Sequence, residues 1–94
     1  MRIHKYIKYI KEEVCSAKHY ACKYLEYKTE KPGWAKMYYE MAEEELKHAE
    51  YLHEIADEYA SGLSWMPEED KIGWGNCTNM LHEKTAWVKM MLSM

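Results

Sequence analysis

Apolar residues recur in steps of three and four from Ile3 through Ile7, Ile10, Val14, Ala17, Ala21, Tyr24 and Leu25. That is the period of a helix, and no Pro or Gly interrupts it before Lys28. The pattern predicts one long helix over 2–28. Thr29-Glu30-Lys31-Pro32-Gly33 breaks it, and Pro32 suits the first turn of a following helix. The series resumes at Trp34, Met37, Tyr38 and Met41 and continues through Leu52, Ile55, Ala56 and Tyr59. Ser61-Gly62 is a stop signal, so the second helix is expected over 32–60. A turn this short between two long helices makes an antiparallel hairpin. A connection over 61–76 follows. Within it Pro67 with Glu68, Glu69 and Asp70 suits a short helical turn, which Gly73-Trp74-Gly75-Asn76 ends. A third, shorter helix is expected over 78–92, carrying Met80, Leu81, Trp87, Val88, Met91 and Leu92. Nothing alternates with period two over a useful length. The fold class is therefore all-α, in a single domain spanning 1–94.

Composition changes this picture in two ways. A chain of 94 residues buries only a thin core, so a partner, a metal or self-association is expected. Leu, Ile and Val are scarce and Phe is absent, while 9 Tyr, 4 Trp and 8 Met supply the large apolar surface. The expected core is aromatic and Met-rich, with Trp34, Trp65, Trp74 and Trp87 sealing core ends or a subunit interface. The net charge of −3 lacks the basic balance of a nucleic-acid module. No apolar run approaches the ~18 residues of a membrane span, and the opening residues do not read as a signal peptide; a cytoplasmic location is expected. Cys15, Cys22 and Cys77 form no C-x-x-C pair, so they read as reduced, partly buried thiols.

The candidate chemistry lies on the hairpin. Met41, Glu45, His48, Leu52, Ile55 and Tyr59 follow one another in steps of three and four. This places Glu45 and His48 in the middle of the stripe expected to face the core. On the first helix Glu13 falls on the stripe of Ile10, Ala17, Tyr20 and Tyr24. At ~1.5 Å per residue, Glu13 lies about 22 Å from the turn, Glu45 about 20 Å and His48 about 24 Å. The three are level. The other Glu-x-x-His pair, Glu50 with His53, sits about 27 Å along and meets no inward carboxylate. A buried carboxylate needs a partner. A metal is one; a core histidine bonded to Glu45, or a helix rotated to solvate both, is the other. Helical bundles that hold two irons use a Glu from each of two helices and a Glu-x-x-His from each of the other two. One chain supplies one of each, so two copies about a two-fold axis supply the set. Oxygen donors with one imidazole per metal suit iron or manganese. Glu44 is an alternate for Glu45. His4, His19, His53 and His82 read as surface or edge residues, and His53 with Asp57 as an outer metal-uptake site.

The segment Tyr38-x-x-Met-Ala-Glu-Glu-Glu45-Leu-Lys-His48-Ala-Glu-x-Leu resembles the second helix of the ferritin-like superfamily, rubrerythrins included. Glu13 with Tyr20 seven residues later resembles its first helix. The resemblance covers roughly residues 10–60. Among half-length chains it is nearest to the encapsulated ferritins. It implies a homodimer, or a multiple of dimers, forming a ferritin-like four-helix bundle. It further implies two irons per dimer, oxidation of Fe(II), and mineral stored in a surrounding protein shell. Glu13 and His48 would be terminal ligands and Glu45 a bridge, with Tyr20 and Tyr38 beside the site. Two other readings stand. One is a metal-free helical assembly protein, such as a phage or accessory protein. The other is a rubrerythrin-like peroxidase with its electron donor on another chain, since no rubredoxin-type Cys pair is present.

Overall fold

The computed structural model describes residues 2–94. Three helices make up the chain: α1 (Arg2–Tyr27), α2 (Pro32–Ser61) and α3 (Glu68–Leu92). There is no strand among the described residues, so the all-α expectation holds. The first two helices end within one residue of the bounds predicted from the apolar period. The Lys31 N–H donates to the Tyr27 carbonyl at 2.8 Å and the Ala35 N–H to the Lys31 carbonyl at 3.0 Å, closing the turn. Pro32, which has no N–H to leave unbonded, opens α2. The bundle is a rod 54 Å long and 16 × 15 Å across.

The third helix departs from expectation. It begins at Glu68, ten residues before the predicted start, so the connection is only 62–67 and α3 is almost as long as α1. Gly73 and Gly75 lie inside it. Each costs about 1 kcal/mol relative to Ala in a helix, and packing outweighs that cost. Asp70 and Cys77 are buried on the two sides of the glycines, and a Cβ on Gly73 would stand 3.8 Å from the Ile7 side chain. Glu68, Glu69 and Asp70 place negative charge at the N-terminus, where the helix dipole favours it.

α3 runs parallel to α1 and packs mainly on it, touching α2 only sparsely. Three contacts set this register. His4 Nε2 lies 2.8 Å from Asp70 Oδ1 at one end, the Lys18 ammonium lies 4.6 Å from the Trp87 ring centroid in the middle, and Lys28 Nζ donates to the Met94 carbonyl at the other end.

Two further expectations are corrected here. The core is aliphatic and small rather than aromatic: Ile3, Ile10, Val14, Leu46, Leu81, Val88 and a row of alanines fill it, with Met66, Met91 and Cys77. No Tyr or Trp is buried among the described residues. Trp65 is 72% exposed and Trp34 50%, so neither seals a core end within one chain. The buried row of α2 is Ala35, Ala42, Leu46, Ala49 and Ala56, one residue round from the stripe carrying Glu45 and His48. Alanine lets two helices approach closely and loses no side-chain entropy on burial. The alanines therefore take the dry side, and the larger aromatics stand on the flanking face.

Candidate metal centre

That flanking face belongs to the hairpin alone, since α3 covers the other side of α1. On it stand Glu13 from α1, with Glu45 and His48 from α2. Glu45 and His48 share a side of α2 because residues three apart are neighbours on a helix surface. Glu13 meets them because the short turn sets the two helices in the register predicted from helical rise. One donor atom from each of the three lies within 4.8 Å of the others. His48 Nδ1 is 3.6 Å from Glu13 Oε2 and 3.7 Å from Glu45 Oε1. Both distances are longer than a hydrogen bond.

The groups are partly sheltered. Side-chain exposure is 29% at Glu13, 24% at Glu45 and 52% at His48. Glu13 Oε2 is buried with no hydrogen-bond partner, an arrangement that costs free energy in a protein that leaves it so. The Glu45 carboxyl is pushed up from an ordinary 4.5 to about 7. The close approach of the Glu13 carboxyl is the largest cause, followed by burial and the negative charge of Glu13. His48 pulls it down, and Glu44 adds a like charge. Two carboxylates held this close resist ionising together. A divalent cation between them would remove that repulsion and give Glu13 Oε2 a partner.

The donors fit such a cation. A first-row metal bound at about 2.0–2.2 Å from each donor holds those donors within about 4.4 Å of one another, so small side-chain adjustments suffice. Two carboxylates and an imidazole are the donor set of iron and manganese rather than of thiolate-loving metals. The three free thiols stand outside the cluster.

Other predicted residues are placed differently. Glu44 is exposed and stands outside the donor cluster, where its negative charge adds to that felt by Glu45. Tyr20 and Tyr38 stack on each other at 6.1 Å. Each lies seven residues from its carboxylate, about 10 Å or two turns along the helix. His53 is half-buried, 2.8 Å from Thr78 Oγ1 and stacked on Trp74 at 4.6 Å. It fastens α2 to α3 and forms no ligand group with Asp57. His4 is committed to the buried Asp70, a pairing the sequence pattern did not suggest because the contact spans two helices. Cys77 is the buried thiol, and Cys15 and Cys22 are exposed.

Large apolar side chains stand exposed along the hairpin. Tyr9, Trp34, Met37 and Ile55 are 46%, 50%, 47% and 39% exposed. No helix among the described residues is long and apolar enough to cross a membrane. No family model, curated protein or solved structure matches the chain.

Proposed function

We propose that the chain is a ferritin-like metal-binding protein that oxidises Fe(II) at a dinuclear site shared by two copies. The observation that carries this reading is the convergence of Glu13, Glu45 and His48, with a buried Glu13 oxygen left without a partner. One chain offers too few donors for two cations. A second copy about a two-fold axis brings the total to four carboxylates and two imidazoles, and its own apolar face covers Tyr9, Met37 and Ile55. Glu13, Glu45 and His48 of each copy would hold the metals. Two irons per dimer, with manganese as the other suitable metal, supply one-electron redox chemistry when bound. The chain's own part is to neutralise and orient. The carboxylates would offset the cations' charge. As a metal binds, Glu45 gives up the proton it holds below about pH 7.

The test is anaerobic Fe(II) titration of the metal-free protein. One Fe(II) per chain is expected, abolished in Glu45→Ala and strongly weakened in His48→Ala. Absence of binding would leave the same apolar face as a metal-free assembly surface, the second reading that Trp34, Met37 and Ile55 favour.

A further inference from the structure

A row of aromatic rings leads from the metal-ligand face to the hairpin turn. Tyr20 and Tyr38 stack with centroids 6.1 Å apart and planes 27° apart. Tyr38 and Tyr27 stack at 5.9 Å and 17°. Tyr27 meets Trp34 edge-on at 5.3 Å. Elsewhere among the described residues, ring contacts join only two or three rings, as in Tyr24–Tyr39 and His53–Trp74. The row has two distinct ends. At the inner end the half-buried Met41 occupies the register position between Tyr38 and Glu45. At the outer end Trp34 is 50% exposed and the Lys31 ammonium lies 3.8 Å from its ring centroid.

The surroundings of the outer end have a charge preference. The Lys31 ammonium stands directly over the exposed indole, with Lys28 and Lys36 exposed nearby and Glu26 and Glu30 the exposed acids on either side of Lys28. That surface favours an anion over a ferrous ion. Electron tunnelling falls steeply with distance. The direct axial path from Trp34 to Glu45 is about 16 Å, whereas the longest step by way of the rings is about 10 Å.

We propose that Trp34, Tyr27, Tyr38 and Tyr20 form an electron relay, carrying single electrons from an anionic one-electron reductant at the turn to peroxide at the Glu13/Glu45/His48 site. The proposal rests on the dinuclear reading above and extends it to a reducing co-substrate. Ascorbate monoanion is the probe of this class. Two ascorbate monoanions each lose one electron and one proton and become ascorbyl radical anions. Hydrogen peroxide takes up the two electrons and two protons, its O–O bond breaks, and two waters form. Each ring passes an electron inward and regains one from its outer neighbour. A proton shed by an oxidised ring returns on its reduction, so the relay itself is unchanged. The Lys31 cation disfavours a positively charged, oxidised indole. The ring that stays oxidised longest is therefore a tyrosine.

Freeze-quench EPR of the Fe(II)-loaded protein mixed with peroxide is expected to show a tyrosyl radical that ascorbate quenches. Tyr38→Phe should abolish or displace that signal with iron content unchanged, and Trp34→Phe should slow quenching by ascorbate several-fold. A metal-free measurement separates this proposal from the reading beneath it. In the chain carrying Trp65→Phe, Trp74→Phe and Trp87→Phe, azide radicals from pulse radiolysis oxidise the remaining indole. Indolyl absorbance should then convert to phenoxyl absorbance at a rate independent of protein concentration, and Tyr27→Phe should slow it. Unchanged radical and quenching in the Phe variants, or a conversion that Tyr27→Phe leaves alone, would overturn the relay. Failure to bind iron would overturn the dinuclear reading, while the pulse experiment still decides whether the rings conduct.

Discussion

The two sides of the α1 helix differ in how they are finished. Towards α3 and the alanine row of α2 it presents Ile10, Val14, Ala17 and Ala21, all buried, against Ala42, Leu46, Ala49, Cys77, Leu81, Val88 and Leu92. Its other side, shared with α2, presents Glu13, Tyr20 and Tyr27 at partial exposure and leaves a carboxylate oxygen unsatisfied. The first side is complete within one chain. The second contains everything a stable monomer avoids: paired acids, an orphaned acceptor and open aromatic surface. Stability is thus invested on one side and the proposed chemistry on the other.

Substitutions should separate the two sides sharply. Leu81→Ala or Ile10→Ala opens a cavity in the closed side and is expected to cost about 2–5 kcal/mol in urea unfolding, a large share of a small domain's stability. His4→Ala strands the buried Asp70 carboxylate and is expected to cost about 1–3 kcal/mol. On the open side the metal-free protein should respond to pH instead. Glu45 holds its proton to about pH 7 when folded but releases it near 4.5 when unfolded. The folded state therefore binds more protons across that window, and stability falls as pH rises from about 4.5 to about 7 and levels off above it. Glu45→Gln should flatten that slope, measured as thermal midpoints across pH. Ile55→Ala, at a position already 39% exposed, should change unfolding of the isolated chain by under about 1 kcal/mol, while weakening self-association measured by sedimentation. A large loss in isolated-chain stability there would erase the distinction between the sides.

Much of this was legible in the residues, for identifiable reasons. The two hairpin helices are long and strongly periodic, and Pro32 marks the turn, so their register could be read by counting. Counting alone placed Glu13 level with Glu45 and His48. Which side of α2 is dry was not legible, because periodicity gives most weight to large residues, and Tyr38, Met41 and Tyr59 outweighed Ala42 and Ala49. In a closely packed helix pair the alanines win because they let the backbones approach. The start of α3 was hidden by Gly73 and Gly75, whose helical cost is offset by contacts with α1 that no local pattern reveals. His4–Asp70 and the ring row from Tyr20 to Trp34 were hidden for the same reason: each joins positions that only the folded register brings together.

The central claim is that the open side is half of a metal site. Native mass spectrometry of the Fe(II)-loaded protein tests it most directly, with Glu13→Ala beside it. The account predicts a dimer carrying two irons, and a Glu13→Ala protein that binds little or none. A monomer carrying iron, or a dimer whose iron content is indifferent to Glu13, would contradict it.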